Sequence, residues 1–223
     1  MACDHTQMRW SNFADSHWYL DAMGVKAANG YSAFCRQDFV GIDYGMIDCS
    51  TYAPLPDYYS GILWSTLMST EVLQAESSDP TLRSYAHCSA KSTGQLTVLL
   101  INLEATMART VTLAGLELGG LSAPKADGGG GEVVVTEWHL TGPNGTASTE
   151  MALNGELLVA KVVSGGTEYE LPSLEGRPRK IQTVAMAEDA VDGVLQVEMA
   201  AASIAFVELP APASMARVCH GAQ

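Results

Sequence analysis

The chain has 223 residues, of which 12 are Lys or Arg and 25 are Asp or Glu, for a formal net charge of −13, and 47% are hydrophobic. That length holds one large or two small domains, and that apolar content argues against disorder. A surface so acidic repels nucleic acid and sulfated polyanions on average. No apolar run approaches the ~18 residues of a membrane-spanning helix. The opening segment, MACDHTQMRWSNF, carries no apolar h-region, so no signal peptide is visible in it.

In chain order, Phe13–Met23 reads as a helix that Gly24 ends as its C-terminal cap. Ala33–Val40 reads as a strand that carries Arg36, Gln37 and Asp38 among β-formers. It breaks at Gly41, passes Asp43-Tyr44-Gly45 and reaches Pro54-Leu55-Pro56-Asp57. Strand, polar loop and helix start is the pattern of a (β/α)₈ barrel strand where its C-terminal end meets a ligand. Asp57–Ser69 reads as a second helix, with Asp57 at or beside the N-cap and Tyr59, Leu63 and Leu67 on one face.

After Thr70 the texture turns to short β-rich segments: Glu71–Ala75, Leu82–Cys88, Leu96–Leu103, Arg109–Leu113, Val133–Leu140, Glu150–Leu153, Glu156–Val163, Val194–Ala200 and Ser203–Leu209. The Asn154-Gly155 pair predicts a hairpin between Met151-Ala152-Leu153 and Leu157-Leu158-Val159. Many short strands at this spacing predict an antiparallel sandwich. Ala123–Gly131 reads as a flexible loop, because it lacks the Lys-Ser/Thr ending of a phosphate cradle. The basic run Arg177-Pro178-Arg179-Lys180 reads as a solvated loop. The expected fold class is α+β, with residues 1–70 as the last units of a (β/α)₈ barrel and residues 71–223 as a β-sandwich.

Chemistry-bearing patterns are few. Cys3, Cys35, Cys49, Cys88 and Cys219 form no CxxC pair, which argues against a zinc site. The five histidines show no ligand spacing, no Gly-x-Ser-x-Gly elbow occurs, and Asp43, Asp48 and Asp57 fit no EF-hand loop. No metal and no cofactor is implied. Asn144-Gly145-Thr146 is a glycosylation sequon in a turn-rich loop, which agrees with a secretory route.

The stretch Arg36–Gly45, RQ-x-x-x-G-x-x-YG, then Pro-x-Pro-Asp-Tyr-Tyr and Leu63-Trp64-x-x-Leu67-Met68, resembles the heparanase-like glycosidases of glycoside hydrolase family 79, plant and algal members above all. Phe13-x-x-Ser16-x-Trp18-Tyr19-Leu20-Asp21-x-x-Gly24 extends the likeness upstream, and Arg83–Cys88 and Val98–Leu103 extend it downstream. It covers most of the chain from about Ser11 onward. The resemblance implies a retaining glycosidase that hydrolyses O-glycosyl bonds in a glycan bearing uronic acid. The expected partner is carbohydrate, and the expected location is secreted, cell wall or endomembrane. It also implies a bridge between Cys88 and Cys219; two buried free thiols are the alternative.

Retaining glycosidases use two carboxyls about 5–5.5 Å apart. In the family these stand at the ends of the fourth and seventh barrel strands. The fourth has no counterpart here, and the position of the seventh falls at or before Met1. The chain by itself is therefore expected to be inactive. What the resemblance leaves is a rim: Gln37 and Tyr44 match residues that line the sugar cleft. Tyr44 would donate a hydrogen bond to a nucleophile or a uronate carboxylate, and Gln37 would contact a sugar hydroxyl. Ile42 and Asp43 stand where the family loop has Gly and Asn. Two readings stay open: sugar contacts, or Tyr44 as a packed loop anchor with Arg36 simply paired to Asp38 or Asp57. A non-catalytic accessory protein that binds a glycan or a protein partner through its sandwich is the alternative function.

Overall fold

The computed structural model describes residues 11–40, 44–116, 132–164, 168–182 and 195–221. The first helix, α1, spans Phe13–Ala28; the Asn12 side chain accepts from the Ala14 amide at its start, and Asn29 caps its end. The expected stop at Gly24 is wrong, and the reason is packing. A Cβ on Gly24 would stand 2.4 Å from the ring of Tyr85, so glycine lets the helix lie against the sheet rather than ending it.

Ala33–Val40 is not a strand. Its pairing amounts to the single bridge Val40↔Ile47, with Met46 and Ile47 donating to the carbonyls of Asp38 and Phe39. A strand needs a ladder beside it. No described strand lies there, and Arg36 takes its partners from helices instead. Gly41, Ile42 and Asp43 lie outside the described residues.

The second helix, α2, spans Pro56–Leu67 with Pro at its first position, where a missing N–H costs nothing. Leu55 is the N-cap, so Asp57 sits inside the first turn rather than capping it. The helix stops before Ser69, because Met68 already pairs with Ser89 at the start of β1 (Met68–Leu73).

The remaining strands are β2 (Leu82–Ser89), β3 (Gln95–Asn102), β4 (Arg109–Leu113), β5 (Glu132–Thr141), β6 (Ala152–Leu153), β7 (Glu156–Leu157), β8 (Lys161–Ser164), β9 (Glu168–Glu170), β10 (Arg177–Gln182), β11 (Leu195–Met199) and β12 (Ile204–Pro210). A short helix, α3 (Ala213–Gly221), follows. The principal sheet is antiparallel in the order β1-β2-β3-β12-β5-β6-β7, with β10 also paired to β5. The architecture is mixed α and β with antiparallel sheets.

Central strands are buried on both faces, which is why they read as apolar runs. Along β12, Ile204 and Phe206 join a core with Phe13, Leu20, Leu63 and Leu67 of the helices. Ala205, Val207 and Leu209 point the other way, to a core with Val111 of β4 and Leu195, Val197 and Met199 of β11. The Asn154-Gly155 hairpin is present between β6 and β7, with φ of 53° and 84°. The expected single strand Glu156–Val163 is two, β7 and β8.

Arg177–Lys180 is not a loop but the start of β10. Its charges face partners across the strands, Arg179 with Glu137 and Arg177 with Glu156, and Pro178 is tolerated because β10 is an edge. Cys88 and Cys219 are joined, with Cα atoms 5.1 Å apart, tying β2 to α3 across a sequence separation of 131. Cys49 is also disulfide-bonded, and Cys35 is a free, exposed thiol.

Candidate functional site

The rim is organised around one side chain, Arg36, only 6% exposed. Its Nη2 donates to the Asp15 carboxylate in the first turn of α1, to Asp57 Oδ2 in the first turn of α2 at 3.0 Å, and to the Tyr44 carbonyl at 2.9 Å. Its Nη1 donates to the Gln37 carbonyl. The rings of Trp18 and Tyr19 lie 5.3 and 5.9 Å from the guanidinium, within cation–π range. Arginine suits this position because it keeps its charge when buried and spreads five donors in a rigid plane.

The electrostatics are unbalanced. Two carboxylates meet one guanidinium in a place nearly without water, and Asp57 is 0% exposed. Burial, and then the like charge of Asp15, push the Asp57 carboxyl up to about 7, against the opposing pull of Arg36. Asp57 Oδ1 and Arg36 Nε are both buried without a hydrogen-bond partner. Burial also raises the Tyr19 phenol, with Asp57 adding to the shift.

Two carboxyls on one nitrogen invite comparison with a catalytic pair. Acid/base chemistry on a sugar requires both groups to reach solvent-side substrate. Asp15 and Asp57 are buried against the single Arg36 guanidinium, so they serve structure. Of the two partners expected for Arg36, Asp57 is present; Asp15 takes the place of Asp38, 21 residues before Arg36. Nothing local in the sequence marks Asp15 beyond its being the acid of a helix first turn.

Gln37 is exposed and Tyr44 half-buried. The rim brings their main chains onto the same guanidinium. Among the described residues neither the Gln37 amide nor the Tyr44 phenol has a hydrogen-bond partner. Asn144 is exposed in the loop between β5 and β6, just ahead of a single 3₁₀ turn, Gly145–Ala147. His87 lies away from the rim: its Nδ1 contacts the Ser69 carbonyl at 2.6 Å, Trp64 packs edge-on at 5.2 Å, and burial holds its pKa down. No cluster of three or more metal-ligating side chains occurs among the described residues. No described helix is long and apolar enough to cross a membrane.

No family model matches the chain. It is 36% identical over 191 residues to heparanase-like protein 1 of Arabidopsis thaliana, a match covering 77% of this chain and 34% of that protein. It is 32% identical over 204 residues to the baicalin-beta-D-glucuronidase of Scutellaria baicalensis, covering 91% of this chain and 33% of that enzyme. The chain thus spans about a third of the length of these curated relatives. Among solved structures, a family 30 subfamily 8 xylanase from Clostridium acetobutylicum superposes with a TM-score of 0.53 at 10% identity, over 95% of this chain and 42% of the enzyme. That likeness speaks for a glycoside hydrolase fold alone. With 36% and 32% identity over 77% and 91% of its length to these relatives, the chain belongs to the heparanase-like proteins of glycoside hydrolase family 79.

Proposed function

We propose that the chain is the C-terminal part of a heparanase-like retaining glycosidase that hydrolyses O-glycosyl bonds in glycans bearing uronic acid. Residues 1–70 then supply the last helices of a (β/α)₈ barrel, with Ala33–Val40 as the segment that has no described neighbouring strand to pair with, and residues 71–223 its β-sandwich. The observation that carries this reading is identity across 77% and 91% of the chain to two plant relatives, one of them named as a glucuronidase.

In this reading Gln37 and Tyr44 face the sugar. Among the described residues neither polar end has a hydrogen-bond partner, which suits groups that meet a ligand. The Tyr44 phenol donates to a uronate carboxylate or to the nucleophile, and Gln37 contacts a hydroxyl. The chain supplies recognition rather than acid/base chemistry, because Asp15 and Asp57 are locked under Arg36. A net charge of −13 favours an unsulfated uronoside over a sulfated polyanion. The Cys88–Cys219 bridge and the exposed sequon at Asn144 support a secretory route to the outside of the cell or an endomembrane lumen.

The test is an assay of purified Met1–Gln223 with an aryl β-D-glucuronide. No turnover is expected from these residues alone. Turnover returns when the coding sequence ahead of Met1 is added, if it holds a strand bearing a Glu. Hydrolysis by Met1–Gln223 itself, abolished by changing one of its own residues, refutes the proposal.

A further inference from the structure

We propose that Arg36 is a positioning residue for the sugar-facing rim, whose buried guanidinium holds the main chains of Gln37 and Tyr44 together and ties both to the first turns of α1 and α2. This rests on reading Gln37 and Tyr44 as sugar-facing. Both of their carbonyls accept from the same guanidinium. A carbonyl is rigid with respect to its own Cα and the next amide plane. Fixing it limits where the side chain can start, and so where the Gln37 amide and the Tyr44 phenol can reach.

Among the described residues the rim has few other main-chain tethers. Met46 and Ile47 donate to the carbonyls of Asp38 and Phe39, and Ser11 Oγ donates to the Gly45 carbonyl. No sheet ladder runs through the described residues of the segment. The anchors, by contrast, are stiff. Asp15 and Asp57 lie on helices whose opposite faces are packed on the principal sheet through Phe13, Leu20, Leu63 and Leu67. Helix first turns also favour a carboxylate. Trp18 and Tyr19 cover the guanidinium from α1. The clamp thus ties the Gln37 and Tyr44 main chains to the rigidity of the helix pair.

The clamp is also sensitive to pH, with a definite sign. Asp57 is faced by Arg36 from the rim and by Asp15 and the Tyr19 phenol from α1. In the closed rim its carboxyl titrates at about 7, against 3.8 for an ordinary solvated one. An opening that wets Asp57 lets it ionise, so opening becomes easier as pH rises between those values, by up to about tenfold per pH unit, and levels off above. The closed rim is favoured by acid.

Hydrogen exchange of the Met46 and Ile47 amides on the full chain tests this, with rates corrected for intrinsic pH dependence. Arg36→Met keeps the length and removes every donor. It is expected to raise exchange at both amides at least tenfold while amides of β3 and β12 stay at wild-type rates. Arg36→Lys keeps the charge but has no fork, and is expected to recover only part of the protection. Asp57→Asn is expected to abolish the acid-favoured protection between pH 5 and 7. Wild-type rim rates in Arg36→Met, complete rescue by Lys, or an unchanged pH profile in Asp57→Asn each overturn the clamp. Calorimetric titration with methyl β-D-glucuronide separates the two readings. Binding that weakens at least tenfold in Arg36→Met supports positioning of a sugar site. An absence of wild-type binding refutes the sugar-facing role of Gln37 and Tyr44, and the exchange rates still decide the clamp.

Discussion

The Cys88–Cys219 bridge is a covalent tether between distant parts of the described fold. It closes a sequence separation of 131, joining β2 to the C-terminal α3. Cross-linking removes loop entropy from the unfolded chain, and for a loop of that size the chain-entropy relation gives about 5 kcal/mol at 25 °C. Both cysteines are buried, Cys88 at 0% and Cys219 at 1% exposure, so the replacement must be small and apolar. The perturbation of choice is Cys88→Ala with Cys219→Ala together. A single substitution would leave a thiol able to pair with the exposed Cys35. Urea unfolding under non-reducing conditions reads the result, and a loss of roughly 2–5 kcal/mol is expected from what native disulfides contribute. At roughly 2–4 °C per kcal/mol for a chain of this size, the melting temperature should fall by about 5–20 °C. A double variant within about 0.5 kcal/mol of wild type would refute the reasoning, because it would mean that α3 and β2 stay together in the unfolded ensemble without the bond.

Gly24→Ala places a methyl group 2.4 Å from the Tyr85 ring and should cost about 1–3 kcal/mol by overpacking, despite the better helix former; calorimetric melting checks it. Asp57, titrating at about 7 when folded and at 3.8 when solvated, holds a proton in the native state that the unfolded chain releases. Stability should therefore decline as pH rises from about 4 to about 7, by roughly 4 kcal/mol at most, and Asp57→Asn should flatten that slope in denaturant titrations. Tyr44→Phe removes the phenolic hydroxyl, which has no partner among the described residues, and if it meets a uronate carboxylate the affinity for methyl β-D-glucuronide should fall about 10- to 100-fold with no change in melting temperature.

Local rules read much of this chain. The run Ile204–Pro210 is legible as a strand because both its faces are core, and Asn154-Gly155 is legible as a turn because both residues tolerate positive φ. The start of α2 follows from Pro56, where a missing N–H is tolerated. These features depend on neighbours within a few residues, which a sequence displays directly.

What the tertiary structure alone decided has one physical cause: the deciding partner is far along the chain. Gly24 continues its helix because Tyr85 arrives against it, where spacing would have made it a cap. Ala33–Val40 has the composition of a strand but no described ladder beside it. Arg177–Gln182 becomes one because β5 offers it an edge. Arg36 finds Asp15, 21 residues earlier, only once two helices stand side by side, and only their joint burial of Asp57 gives that carboxyl its unusual affinity for a proton.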